Sequence, residues 1–313
     1  RGDGGYLLNK DMKRFMVEAE PVKQELASRD VVSRHMVQRI RDGYGVESPY
    51  GPHLWLDIRH LGEEHLRTKL LEVWDICRDF VGINPAEELV PVRPTQHYSM
   101  GGVRVNKDGQ AYGLAGLFAV GEAACWDMHG FNRLGGNSLS ETIVTGRIVG
   151  GRVAEFVAGT ELRADTGIAF DALAAAEGKA ADWLARSGDG PSVYDIRDAM
   201  GETMMHKVGI FRTGEELSEA VAEIGQLLED CDKAVLRCKD PGVNPELAFA
   251  LRLKGMLRLA MTVAKGAQAR TESRGAHFRE DYPRRDDAGT VVLGKIPVGG
   301  VELGFVAIGL ADA

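Results

Sequence analysis

Apolar positions three and four residues apart dominate this chain, and alternating runs are few and short. Between Glu63 and Phe80, Leu66, Leu70, Val73, Trp74 and Cys77 recur on one face of a helix. A second helix is expected from Arg29 to about Arg41, with Ser28 as N-cap and Asp30 in the first turn. His53 to Ile58 (HLWLDI) reads as a strand, after which Pro85, Pro91 and Pro94 mark a change of direction. Gly101 to Val105 predicts a strand, Asn106 to Gly109 a turn, and Leu117 to Gly121 a further strand. A helix follows from Leu139 to Phe156. Its Gly146 and Gly150 share a face that would admit another element closely, at a cost of about 1 kcal/mol each relative to Ala.

From about residue 168 the pattern is almost wholly helical. Phe170 to Arg186 is Ala-rich, and Pro191 is placed to open a second helix. Thr213-Gly-Glu-Glu216 forms a capping box for a third, and Asn244-Pro245-Glu246 starts a fourth that runs towards Arg270. Short connections between such helices predict an antiparallel bundle. The tail from Gly289 to Ala313 is Gly/Val-rich, either strand-like or poorly ordered. The fold class is therefore α+β, with mixed elements first and a helical bundle after them.

Bulk properties narrow the function. A length of 313 residues favours two domains. A net charge of -8 leaves no basic surplus for a nucleic-acid partner. Cys77, Cys125, Cys231 and Cys238 form no CxxC and no zinc spacing, so reduced thiols and no metal site are expected. No apolar run reaches the ~18–20 residues of a membrane span. Membrane association would thus come through partners, without direct insertion. The chain opens at Arg1 without an initiator Met or signal peptide and reads like the middle of a longer protein. Its Arg-Gly-Asp tripeptide has no supporting context as an integrin ligand. Gly289-Thr-Val-Val-Leu-Gly-Lys295 imitates a phosphate-binding loop, but Ile296 stands where Ser or Thr is required, so ATP binding is discounted.

Residues Gly116 to Ser140, GLFAVGEAACWDMHGFNRLGGNSLS, carry the chemistry. A strand pattern leads through a Gly/Asn-rich loop into a helix start, where backbone N–H donors can meet an anionic or strongly polar group. Glu122 past the strand offers a hydroxyl acceptor, and Arg133 in the loop offers a fork for a carboxylate.

Five segments in order extend this reading: Leu26 to Arg34 (LASRDVVSR), Gln96 to Gly102 (QHYSMGG), Gly121 to Ala124, His129 to Ser138 (HGFNRLGGNS) and Thr271 to His277 (TESRGAH). Over Arg1 to Asp287 the chain resembles the flavoprotein subunit of succinate dehydrogenase and fumarate reductase. The wording Cys125 to Phe131 is most similar to the menaquinone-linked fumarate reductase type. That family opens with a Gly-rich dinucleotide fingerprint, and no GxGxxG occurs here. Its flavin-linking histidine, the His and Thr-Glu pair of its capping domain and its proton-relay residues also belong to a half not matched. The resemblance is thus to the C-terminal half. It implies the remainder of a capping domain (1–92), the returning part of an FAD-binding domain (93–158), a helical domain (159–288) and the tail (289–313).

The resemblance implies interconversion of succinate and fumarate by hydride transfer with FAD and proton transfer by an arginine. It makes Arg29 the proton donor, and His97 and Arg133 the substrate-binding groups. Tyr98, Glu122, Asn137, Ser138 and Leu139 would hold FAD: Glu122 a ribose or ribityl hydroxyl, the helix start the flavin pyrimidine edge, Tyr98 the isoalloxazine. His129 would orient the glycine loop. Arginine's pKa above ~12 opposes proton loss, so Arg29 would need a desolvated setting beside other positive charge. Arg274 and His277 are expected to dock or shield rather than react. An iron–sulfur subunit and a membrane anchor subunit are the implied partners, with a cytoplasmic location peripheral to the inner membrane. Without its other half the chain is expected to be inactive and not to retain FAD. Two alternatives stand beside this reading: L-aspartate oxidase, which shares the flavin and most motifs, and a non-catalytic helical interaction module without FAD.

Overall fold

The computed structural model describes residues 1–130, 133, 135–161 and 166–286, and the backbone of 294–298 and 301–305. The chain divides into two units, Arg1–Arg104 with Gly121–Ser140, and Val105–Val120 with Glu141–Ala313.

The first unit contains β1 (Tyr6–Leu8), α1 (Met16–Ala19), α2 (Arg29–Arg39), β2 (Leu54–Asp57), α3 (Glu63–Lys69), α4 (Leu71–Ile76) and β3 (Val90–Val92). The three strands form an antiparallel sheet ordered β1-β2-β3, with Leu7 opposite Leu56 and Leu56 opposite Val90. Pro91 does not turn the chain. It lies in β3 at the edge of the sheet, where its missing N–H costs no ladder bond. Leu7, Phe15, Met16, Val32, Met36 and Leu54 form one apolar cluster, and Ile58, Leu66, Trp74, Cys77 and Val90 another. The helix expected over Glu63 to Phe80 breaks at Leu70 (φ -125°, ψ 37°) and ends in a wide turn over Cys77–Val81. Leu66 and Trp74, on either side of the break, are still buried in the same cluster. α2 starts where expected, but Ser28 makes no side-chain cap bond.

Strands β4 (Val103–Arg104) and β5 (Ala124–Cys125) pair in parallel. The strand expected at Leu117–Gly121 does not form. Gln110 bridges Phe118, Ala111 N–H donates to the Leu117 carbonyl (2.8 Å), and Ala119 N–H donates to that of Gly109 (3.0 Å). The apolar run therefore folds back over the Asn106–Gly109 turn, and Leu117 is left 41% exposed. The residues that pair with β4 come later, after a tight turn over Gly121–Ala123. Gly102 (φ 110°) explains why this pairing needs glycine, since a Cβ there would stand 2.3 Å from the Ala123 carbonyl oxygen.

Helix α5 (Asn137–Ala158) begins in the first unit and continues into the second. It buries Glu141, Thr145 and Val149, spaced four apart, and Gly109 packs on Val149. Gly146 and Gly150 lie off that stripe, and nothing among the described residues comes within 4 Å of their Cβ positions. The close approach expected of them is thus not made.

In the second unit α6 (Thr166–Ala185), α7 (Val193–Lys207), α8 (Gly214–Lys233) and α9 (Pro245–Ala269) form the bundle. Their shared core includes Trp183, Val193, Ile196, Leu217, Ile224, Leu253 and Leu257. Thr213 Oγ1 accepts from Glu216 N–H (3.2 Å), and Asn244 Oδ1 accepts from Leu247 N–H (2.9 Å) with Pro245 behind it. Pro191 does not open α7. Ser192 caps it, accepting from Tyr194 N–H (3.2 Å). The tail contains a hairpin of β6 (Gly294–Val298) and β7 (Val301–Phe305). Residues 289–293 of the phosphate-loop imitation lie outside the described residues.

The segment after α9 is tied inward. His277, 2% exposed, lies with its Nδ1 2.7 Å from Arg212 Nη1, and its Nε2 is 3.3 Å from the Arg270 carbonyl oxygen. A guanidinium only donates, so Nδ1 is the acceptor and the ring is neutral. Burial, and then the charge of Arg212, push the His277 pKa down to about 4. The unfolded chain binds this proton below ~6.5 while the folded chain refuses it until about 4. Stability should therefore fall as pH drops through that window, by about 3 kcal/mol in total. Urea midpoints taken at steps from pH 7 to 4 should show the slope, and His277→Gln should flatten it. An unchanged slope in the variant would refute this assignment. His277 is thus an interior group of this unit.

Candidate functional site

The expected site residues all fall in the first unit. The segment from Thr95 to Met100 has no regular structure, so side chains hold it. Ser99 N–H donates to Glu122 Oε1 (2.8 Å), and Gln96 Nε2 donates to the Tyr98 carbonyl (3.1 Å). Glu122, expected only as a flavin contact, thus also anchors the segment that carries His97 and Tyr98.

Arg133 is buried, at 6% exposure. Its guanidinium lies over the Tyr98 ring, 4.3 Å from the centroid, and its Nη2 is 3.5 Å from His97 Nε2. Arginine has no acceptor, so at this contact His97 Nε2 accepts and its proton sits on Nδ1. His129 stands nearly perpendicular to Tyr98, with ring centroids 6.1 Å apart at 87°. The structure therefore brings His97, Tyr98, His129 and Arg133 together. Upstream, the turn before His129 is fastened by Arg104, whose Nε and Nη2 meet Asp127 Oδ2 at 3.0 and 2.9 Å. The Cys125 thiol donates to Asp127 Oδ1 (3.5 Å), and burial pushes its pKa up.

Arg29 is exposed at the first turn of α2, and its Nη2 comes within 3.9 Å of where a Cβ on Gly135 would stand. Asp30 pairs with Arg34 at 3.0 Å. Sequence reasoning missed Arg1. Its Nη1 donates to the carbonyls of Glu25 and Ala27 (3.0 Å to the latter), just ahead of α2. Burial, and then the charge of Arg29, hold its pKa below the ordinary arginine value. Beneath it Glu25 is buried, accepting from Arg14 Nε (2.7 Å), Arg14 Nη2 (2.6 Å) and Leu7 N–H (3.3 Å). A lone arginine before a glycine turn has no periodic signature, and only the fold reveals its neighbours.

Asn137 is the first residue of α5, with Gly136 (φ 82°) ahead of it, so glycine and not Asn137 takes the cap position. Ser138 and Leu139 follow in the first turn, where backbone N–H groups point out along the helix axis. Leu139 is 74% exposed. N–H donors beside an exposed apolar side chain suit the polar edge and flat face of a flavin ring. Among the described residues no group of three His, Cys, Asp or Glu side chains is arranged to hold a metal ion. No described helix is long and apolar enough to cross a membrane.

Comparison with known proteins shows the family. Residues 1–139 match the FAD binding domain family, and 197–293 match the fumarate reductase flavoprotein C-terminal family. The fumarate reductase flavoprotein subunit of Helicobacter pylori is 44% identical over 314 residues, covering 92% of this chain and 44% of its own length. That of Mycobacterium tuberculosis is 39% identical, covering 95% and 55%. The solved E. coli quinol fumarate reductase FrdA superposes with a TM-score of 0.87 at 32% identity, covering 100% of this chain and 56% of that one. Spanning about half the length of the curated relatives it matches, the chain belongs to the family of fumarate reductase and succinate dehydrogenase flavoprotein subunits.

Proposed function

We propose that this chain supplies one wall of a site that interconverts succinate and fumarate in an FAD-dependent subunit. The observation that carries the proposal is the pairing of a buried Arg133 fork with His97, 3.5 Å away, on a loop that leads directly into the start of α5. Arg133 grips one carboxylate of the dianion through two parallel N–H bonds. His97, with its proton on Nδ1, donates to the other. Arg29 holds the proton that is delivered to the carbon next to the one that receives hydride. Ser138 and Leu139 present backbone N–H groups to the flavin pyrimidine edge, and Glu122 accepts from a ribose or ribityl hydroxyl. Bound FAD would supply the two-electron hydride chemistry.

The same reading divides the chain into the remainder of a capping domain, the returning part of an FAD-binding domain and a helical domain. It places the complete subunit in a complex with an iron–sulfur subunit and a membrane anchor, peripheral to the membrane. The complete flavoprotein subunit, assayed with a reduced dye and fumarate and separately with L-aspartate, tests the proposal. Fumarate reduction without aspartate oxidation is expected, and activity on aspartate alone would overturn it.

A further inference from the structure

One dipeptide touches the Arg133 guanidinium twice. The guanidinium carbon lies over the Tyr98 ring, 4.3 Å from its centroid, and the neighbouring His97 meets Nη2 at 3.5 Å. Tyr98 is itself braced by His129, nearly perpendicular at 87°, and its backbone is held by Gln96 and by the Ser99–Glu122 bond. A guanidinium binds a carboxylate bidentately only in one plane, and long side chains lose that plane readily. A stacked aromatic ring fixes the plane without using any of the five N–H donors.

We infer that Tyr98 is a positioning residue for substrate binding, holding the plane of Arg133 so that its N–H groups face the dicarboxylate. This role is distinct from the expected packing of the ring on the flavin. The inference rests on reading Arg133 as the carboxylate clamp. It differs from a flavin-packing role in what it touches, because loss of the ring should disturb the substrate's KM and not the flavin.

The test uses the complete flavoprotein subunit with FAD bound. Tyr98→Phe keeps the ring face and should leave KM for fumarate within about threefold. Tyr98→Leu should raise KM about tenfold, the size of one buried stacking contact. The oxidised-flavin absorbance and midpoint potential should stay where they are in both variants. Tyr98→Met takes the place of the leucine variant if that protein does not retain flavin. In an Arg133→Lys background, whose ammonium is a point charge without a plane, Tyr98→Leu should add much less. A purely structural role would show no such coupling. An unmoved KM with a shifted flavin potential in Tyr98→Leu overturns the inference, as does a Phe variant as impaired as the Leu variant. If Arg133→Ala leaves KM unchanged, the clamp reading fails and takes the inference with it. If Arg133→Ala raises KM and Tyr98→Leu does not, the inference alone fails.

Discussion

Replacing Arg29 by glutamine in the complete subunit should lower the rate of fumarate reduction by about a thousandfold, within the ~10²–10⁴ range of a lost general acid. KM should change by less than about fivefold, because the proposed function assigns the carboxylates to Arg133 and His97. Glutamine keeps the length and hydrogen-bonding capacity of the side chain but has no transferable proton. An arginine gives up a proton only where its surroundings penalise the charge. Arg29 is exposed here, and of the two conditions only the neighbouring positive charge is visible: Arg1, a second guanidinium whose own pKa is lowered first by burial and then by the charge of Arg29. Arg1 is fixed by the carbonyls of Glu25 and Ala27, so it cannot swing away. Glu25 below is held under the usual carboxylate range. Its burial acts upward, but the Arg14 hydrogen bond and two backbone bonds override it. That carboxylate is already committed to Arg14. Arg29→Lys keeps both the charge and a transferable proton, so part of the turnover lost in the glutamine variant should return there. A glutamine variant retaining more than a tenth of the activity would remove Arg29 from the proton step.

Local features were the ones legible in the sequence. Thr213 and Asn244 cap their helices because the partner N–H lies three residues away. The helix starts at Arg29 and near Ser138 also lie where the local pattern puts them, although Ser28 makes no cap bond. What escaped depends on partners distant in sequence. Glu122 holds Ser99 across 23 positions, Arg1 reaches Glu25 across 24, and Arg212 meets His277 across 65. The run from Leu117 has strand composition, yet its neighbours allow only a fold-back over a tight turn. Gly146 and Gly150 are small, but the helix uses its Glu141–Thr145–Val149 face instead. The proposed substrate groups come from ordered short motifs. What sequence could not supply was Tyr98 beneath Arg133, because no spacing rule connects two loops.

Arg279→Met should be the most destabilising single change in the helical unit, at about 3–5 kcal/mol, the usual cost of breaking a buried charged network. Arg279 is 2% exposed. Its Nη1 donates to the carbonyls of Ala267 (3.1 Å), Gln268 (3.2 Å) and Arg270 (3.1 Å), at and just beyond the C-terminal end of α9. Carbonyls at a helix end have no helical donor, and the helix dipole places negative charge there. Its Nε and Nη2 grip Asp281 at 2.7 Å each. Asp281 Oδ2 in turn accepts from Gly214 N–H (2.9 Å), the first residue of α8, so one arginine links the end of one helix to the start of another. Methionine fills much of the volume but leaves the buried carbonyls without this donor and Asp281 without its counter-charge. For a unit of this size, the loss should lower the melting temperature by about 10 °C. Arg279→Lys, which keeps the charge but not the fork, should fall between the two. The Asp281 pKa, held down to about 2 chiefly by the Arg279 hydrogen bond, should return towards ~4 in Arg279→Met. Stability that the parent protein loses only as pH falls below ~4 would then be missing already at neutral pH. Amide exchange in the last turn of α9 should accelerate with it. A melting temperature within about 2 °C of the parent would show that the three carbonyls are satisfied without Arg279, and this account of the helix junction would be wrong.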